Sequence, residues 1–222
     1  MRIDDVWIDE AVRELRPDFA VLLMVVRGLR NGPSDDRSRA WLTDAAGRAV
    51  GPEHERIEAW RSAYRDFGAK PQRTRPSVDA LIRRAPLPEI NLVVDAYNAV
   101  SVAHALPIGG EDLRRYQGPA RLVRASGDEP FDTTASGEEI VDHPEIGEVV
   151  WRDDLGVTCR RWNWRQCVRT RITEETTDAL FILERLAPMR LDELAAAGRE
   201  LTALLRRISP SASFEDRLLA MG

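Results

Sequence analysis

The amino-acid sequence predicts an α/β (α+β) protein, β-sheet covered by helices, with a helical C-terminal part. Three stretches carry that prediction. Residues 19–29, FAVLLMVVRGL, are almost continuously apolar, rich in β-branched and long side chains, and bounded by Pro17 and Asn31-Gly32-Pro33; such a run suits a strand buried on both faces at the centre of a sheet. Residues 53–67 place Ile57, Trp60, Tyr64 and Phe67 at spacings of three, four and three before Gly68, the pattern of an amphipathic helix closed by a glycine. Residues 148–171 read as a hairpin: VVWR, a turn around Asp153-Asp154-Leu155-Gly156, and the return strand VTCRRWNWRQCVRTRI.

The remaining elements follow in order. Residues 3–16 give an extended entry and an amphipathic helical turn, residues 31–39 are polar and turn-rich, and residues 41–50 suggest a minor helical turn stopped by Gly47. Residues 68–85, GAKPQRTRPSVDALIRRA, combine a basic loop (Lys70, Arg73, Arg75) with a helix that has Pro76 in its first turn and Val78, Leu81 and Ile82 on one face. The loop fits a phosphate contact and a solvated connector equally well. Residues 120–131 read as a strand and turn, and the Gly/Asp/Thr/Ser-rich residues 127–137 as a loop. Thr173 suits the N-cap of a helix whose buried stripe is Ala179, Leu180, Leu183 and Leu186. Residues 191–208 form a second helix with Leu194, Leu201, Leu204, Leu205 and Ile208 in register, ended by Ser209-Pro210, and Phe214, Leu218 and Leu219 suggest a short docking helix. The expected organisation is one domain, residues 1–222, with helices of residues 173–222 packed on it.

Composition narrows the function classes. A chain of 222 residues buries a normal core without staples. The formal charge of −5 opposes a whole-surface polyanion binder but leaves local patches open; Lys70 is the sole lysine, so positive charge is nearly all arginine. Cys159 and Cys167 lack a second pair or a nearby histidine, which suggests reduced thiols and no zinc site. With no basic-then-apolar leader and no apolar run long enough to span a bilayer, a soluble cytoplasmic protein without membrane, metal or cofactor is expected. A P-loop, a G-x-G-x-x-G turn, HExxH and G-x-S-x-G are all absent, which removes support for ATP-driven, nicotinamide and common hydrolase chemistries. His54, His104 and His143 lie on separate elements, and His104 falls on an apolar helix side, as a packed core histidine would.

Residues 88–118 are the stretch that suggests a ligand. At 100° per residue, Ile90, Val93, Val94, Tyr97 and Val100 share one side of a helix while Asn91, Asp95 and Asn98 share the other. The helix meets Pro107; a turn at Gly109-Gly110 lets a ligand approach bare backbone, and Glu111 and Asp112 follow as ammonium contacts or helix caps. A solvated stripe and a pocket wall both fit this pattern. In the return strand, alternation puts Trp162, Trp164, Gln166, Val168 and Thr170 on one face and Arg161, Asn163, Arg165, Cys167 and Arg169 on the other. Arg161 and Arg165 would then stand roughly 13 Å apart, in a row able to follow a nucleic-acid backbone or to pair with the acids of the preceding turn.

The segments GAKPQRTRPSVDAL, NLVVDAYNAVS, LPIGGEDL and CRRWNWRQCVRT, in that order over residues 68–118 and 147–184, resemble the B3/B4 domain of the phenylalanyl-tRNA synthetase β subunit, and more closely its freestanding relatives. The resemblance implies mixed and antiparallel sheets covered by helices, and a pocket that in the synthetase hydrolyses tyrosine wrongly attached to the phenylalanine tRNA. The synthetase's catalytic core has no counterpart here. In the family's N-x-V-x-D-x-x-N helix the last amide lines the pocket, and Asn98 matches it. Where the synthetase domain has a proline-leucine-histidine run, this chain has Pro107-Ile108-Gly109, so no role of that histidine carries over. A family glutamate that reads a tyrosine hydroxyl aligns with no single residue.

The resulting expectation is editing in trans of an aminoacyl-tRNA, hydrolysing the ester of a mischarged tRNA. Such an ester is already activated, so placing a water and stabilising the oxyanion supply most of what is needed. Asn98, Gly109 and Gly110 are the candidate catalytic residues and Asn91, Asp95, Glu111 and Asp112 the candidate substrate contacts. Lys70, Arg73, Arg75, Arg161, Arg165 and Arg169 are the candidate nucleic-acid contacts. The alternatives are an RNA-binding module without hydrolysis, and an aminoacyl-tRNA-dependent biosynthetic or amino-acid-binding protein.

Overall fold

The computed structural model describes residues 1–220. After a 3-10 turn at Ile3–Asp5 come β1 (Trp7–Ile8), α1 (Glu10–Leu15), β2 (Ala20–Arg27), α2 (Asp36–Arg48), α3 (Glu55–Asp66), α4 (Ser77–Ile82), α5 (Leu92–His104) and β3 (Ile108–Asp112). A second 3-10 turn, Leu113–Arg115, leads to β4 (Arg121–Arg124), β5 (Phe131–Ala135), β6 (Glu138–Asp142), β7 (Val149–Arg152), β8 (Val157–Arg160) and β9 (Arg165–Gln166). The chain then forms β10 (Asp178–Arg185), α6 (Leu191–Ile208) and β11 (Ser213–Ala220).

The expected mixed and antiparallel sheets are present. A four-stranded sheet has the order β11-β2-β10-β3 and is antiparallel throughout. A five-stranded sheet, β1-β4-β7-β8-β9, is mixed, because β1 runs parallel to β4. β5 and β6 form a separate hairpin.

Alternation along β2 explains why it reads as a continuous apolar run. Ala20, Leu22, Met24 and Val26 enter a core shared with α2, α5 and α6, whereas Val21, Leu23 and Val25 enter a core shared with α3 and the five-stranded sheet. Each buried aliphatic side chain contributes about 1.5–3 kcal/mol, so neither face can turn outward. β10 alternates the same way, with Phe181 and Leu183 on the helical side and Leu180 and Ile182 on the sheet side. The four-stranded sheet is therefore a shared wall between a helical layer and a second sheet.

Several expected elements appear as read: the central strand, the helix of residues 53–67 with Gly68 at φ 88°, the β7–β8 hairpin and α6. Others differ. Residues 173–186, expected as a helix, supply β10, because β2 and β3 offer hydrogen-bonding edges on both sides. The expected C-terminal docking helix is β11, paired along its whole length with β2, so the C-terminal part is one helix between two strands. The expected loop of residues 127–137 contains β5, whose turn to β6 uses Ser136 and Gly137 at φ 54° and 87°. α2 is three turns rather than a minor one, started by Asp35, which accepts from Arg37 N and Ser38 N in a capping box, and Gly47 lies within it. Ile90 is 54% exposed and precedes α5 instead of joining its core face.

Candidate active-site cavity

α5 is buried nearly all round, and its polar stripe divides into two jobs. Asn91 caps the helix, its Oδ1 accepting from Val94 N at 3.0 Å and from Asn31 Nδ2 at 3.0 Å. Asp95, 0% exposed, accepts from Ser38 Oγ at 2.8 Å, Ile90 N at 2.8 Å and Ser34 Oγ at 2.5 Å. Asp95 ties α5 to α2 and Asn91 ties it to the loop between β2 and α2; neither lines the cavity. Asn98, almost one turn on, does: it is 8% exposed, and its side chain has no hydrogen bond among the described residues.

The cavity has a volume of about 220 Å³ and lies between α4, α5, β3, β10 and the five-stranded sheet. β3 supplies Ile108, Gly109 and Glu111. Gly109 and Gly110 are strand residues, with neither at positive φ, in place of the expected turn. Their Cα environments differ. A Cβ on Gly110 would come within 2.8 Å of Tyr97 Cε1 and 2.9 Å of Ile172 Cδ1, whereas one on Gly109 would meet only Gln166 Nε2 at 3.5 Å. Gly110 is a packing glycine outside the cavity lining; Gly109 leaves the cavity open. Asp112 caps the 3-10 turn through Arg114 N at 2.9 Å and accepts from Thr176 Oγ1 at 2.9 Å, also outside the cavity.

Two buried carboxyls reach it. Glu184, from β10, is 2% exposed and accepts from Trp151 Nε1 and Asn163 Nδ2, both at 2.8 Å. Asn163 in turn accepts from Tyr64 OH at 3.0 Å. Burial pushes the Glu184 pKa up to about 8, against the pull of those N–H donors. Glu111 is 1% exposed and bonded by Tyr116 OH; burial pushes it up to about 7, against the hydroxyls of Tyr116, Thr158 and Thr170. Cys159 also lines the cavity, but burial pushes its thiol well above the usual range, which removes it as a nucleophile.

The expected straight return strand breaks after β8. Arg161 and Trp162 take φ of 47° and 68°, a left-handed pair that costs energy for non-glycine residues. Trp162 is thereby buried with edge contacts to Phe19 at 5.1 Å and Trp60 at 5.5 Å, and Asn163 reaches Glu184. The break also sets the rim, where Arg161 and Arg165 place their Cζ atoms 4.5 and 4.6 Å from the Trp164 ring centroid. The row of arginines is consequently absent: two of its members share one indole. Arg161 lies 3.7 Å from Glu148, and Arg169 gives two bonds to Asp153 at 2.8 and 2.9 Å. Arg165 and Arg84 stand at the cavity with no carboxylate partner among the described residues. Lys70 and Arg73 line a separate depression with Arg161, Glu145 and Glu148, and Arg75 lines neither.

His104, expected in the core, is half-buried and bridges to Glu200 Oε2 at 2.7 Å, joining α5 to α6. A hydrogen bond from Arg48 is the main cause holding Glu200 down to about 2. Trp151, Asn163 and Glu184 escaped the sequence reading; the available signal was that Leu180, Ile182 and Glu184 share one face if residues 178–185 are a strand. No group of three or more His, Cys, Asp or Glu able to hold a metal occurs among the described residues, and none of their helices is long and apolar enough to cross a membrane.

A buried asparagine and two carboxyls with raised pKa values thus converge on one cavity between two sheets of an α/β protein. The chain belongs to the B3/4 domain family, whose family model matches residues 59–209 and so spans every cavity residue named above. No curated protein matches it. It is similar in structure to the crystal structure of an N-terminal fragment of the phenylalanyl-tRNA synthetase beta-subunit from Pyrococcus horikoshii, at a TM-score of 0.48 and 15% identity over 94% of this chain and 49% of that one. The chain thus spans about half the length of that fragment.

Proposed function

We propose that the cavity receives the aminoacyl group of a mischarged tRNA and that the protein hydrolyses its ester in trans. The observation that carries this reading is Asn98: a nine-tenths buried amide without a protein partner, in a cavity of about 220 Å³. The amide opens onto the cavity and is free to bond a ligand there. The cavity suits one amino-acid side chain and excludes a folded RNA, which leaves the tRNA body outside.

In the reaction, water attacks the ester carbonyl carbon, the tetrahedral oxyanion collapses, and the ribose oxygen leaves with a proton, giving free amino acid and tRNA. Gly109 is poorly placed as an oxyanion donor. Glu184 N donates to Pro107 O at 3.0 Å, and antiparallel alternation then directs Gly109 N–H into the ladder with Ile182. Asn98 Nδ2 takes that role. Glu111 suits the substrate α-ammonium, whose charge favours the ionised carboxylate. Glu184, carrying a proton at neutral pH, suits a hydroxyl or carbonyl on the bound side chain.

The test is release of free amino acid, identified by mass, from a panel of mischarged tRNAs. Asn98→Ala is expected to lower kcat by roughly 10²–10³-fold, the loss typical of one oxyanion donor, with an unchanged unfolding transition. Full activity in that variant removes the cavity from the reaction.

A further inference from the structure

Beside the cavity lies a second, open depression of about 710 Å³ whose lining includes Arg114, Arg115, Arg169 and Arg171. Arg169 is neutralised by Asp153 and also holds Arg115 O at 2.6 Å. The other three are different. The side chains of Arg114, Arg115 and Arg171 are exposed and make no hydrogen bond, ion pair or ring contact among the described residues. Elsewhere arginines are mostly engaged, as at Arg160 with Glu148, Arg61 with Asp79 or Arg207 on Trp41. Two acids line the same depression: Asp112 accepts from Arg114 N and Thr176 Oγ1, and a hydrogen bond from Thr173 holds the Glu175 carboxyl below its usual range. On a chain of net charge −5, three guanidinium groups without a protein partner among the described residues converge on one opening and outnumber its two carboxylates.

The position of this cluster gives it a meaning. Glu111 lines the cavity and the adjoining Asp112 lines the depression; likewise Gln166 lines the first, and Val168 and Arg169 the second. Both linings therefore draw on the same two chain segments, and because successive strand residues face opposite sides, the depression lies across the edge strand β3 from the cavity. We propose that Arg114, Arg115 and Arg171 bind consecutive phosphodiesters of the RNA whose terminal ester enters the cavity, a site that rests on the function proposed above. Planar guanidinium groups suit phosphate oxygens bidentately, and contacts of this kind position the strand without reading its sequence. Of the arginines predicted from the strand pattern, Arg161 and Arg169 are occupied by protein acids and Arg165 lies on the Trp164 ring at the cavity, so the RNA backbone contact is assigned to these three.

The test measures binding of uncharged tRNA by full-length protein across a salt series. The triple change Arg114→Gln, Arg115→Gln and Arg171→Gln is expected to weaken binding roughly tenfold or more at ~50 mM salt and to reduce the slope of log K against log salt by ~2, about 0.7 per lost phosphate on a single strand. A control triple, Arg2→Gln, Arg199→Gln and Arg206→Gln, removes the same charge elsewhere and should leave both values near wild type. Equal losses in the two triples, unaltered binding in the first, or no tRNA binding by the wild type each overturns the proposal. Displacement of tRNA by polyglutamate at equal charge concentration also overturns it, in favour of an acidic protein partner. Loss of tRNA binding in the first triple together with no turnover of any ester supports the phosphate site while rejecting hydrolysis, so the two readings fail separately.

Discussion

Gly109 and Gly110 are adjacent, and what each can become is decided by different atoms. Gly110 has no room for a methyl group between Tyr97 and Ile172, both held in the core. Gly110→Val is therefore expected to destabilise the fold by about 1–3 kcal/mol, as overpacking does, and to lose activity through the fold. Gly109 faces only the Gln166 amide, at ordinary contact distance, which donates to Gly110 O at 2.7 Å. Gly109→Ala should leave stability within about 0.5 kcal/mol of wild type and change catalysis alone. Urea unfolding and kcat/KM on both variants separate the two cases; equal destabilisation would show that Gly109 is a packing residue as well. Gly109→His tests whether an imidazole at the position of the synthetase histidine alters which amino acid is removed.

α5 shows why a helix can be read correctly while its residues are misread. Asn91, Asp95 and Asn98 form a true stripe, yet only Asn98 faces the cavity, because the other two hold the start of α5 to the β2–α2 loop and to α2. Asp95→Ala removes one carboxylate and strands the Ser34 hydroxyl and the Ile90 N–H, while the Ser38 hydroxyl keeps Asp35 O as an acceptor at 3.2 Å; a loss of about 2–4 kcal/mol is expected, since each buried unpaired group costs about 1–3 kcal/mol. Asp95→Asn, which keeps one acceptor oxygen, should lose less, and a loss below 1 kcal/mol for the alanine variant in urea unfolding would contradict the anchoring role. The motif thus located the wall residue, but its companions were hidden. Glu184 belongs to a strand buried on both faces, and Ala179, Leu180, Leu183 and Leu186 satisfy a helical period as well as an extended one; the deciding partners, β2 and β3, are remote in sequence. β11 was misread for the same reason, its pairing with β2 being invisible locally. The break at Arg161 and Trp162 left no signature, because positive φ at non-glycine residues is imposed by packing, here of Trp162 against Phe19 and Trp60. What was legible was the density of chemistry in residues 88–118 and 160–170.

At the scale of the molecule, the carboxyl of Glu184 joins the two sheets: it hangs from β10 and is held by Trp151 of β7 and by Asn163 just beyond β8. Its titration is therefore a property of the layered fold, and its sign follows from burial. The folded pKa is raised from the ordinary 4.5 to about 8, so between those values the folded protein holds a proton that the unfolded chain has released. The contribution to stability is fully present below pH 4.5 and is lost as pH rises through about 8. Glu111, raised to about 7, adds a loss of the same sign, and each carboxylate disfavours ionisation of the other. With one pKa unit worth about 1.4 kcal/mol, the two rises together bound the combined fall at roughly 8 kcal/mol. Urea unfolding between pH 5 and 8.5 is the right window, because above it thiols with an ordinary pKa of 9.0, Cys159 among them, begin to ionise in the unfolded chain. The wild type should lose stability steadily across that window, and Glu184→Gln, which cannot ionise, should lose visibly less while still showing the part that belongs to Glu111. Parallel curves for the two proteins would mean that Glu184 is already charged at neutrality, and the cavity would then offer a carboxylate acceptor where a proton donor is now assigned.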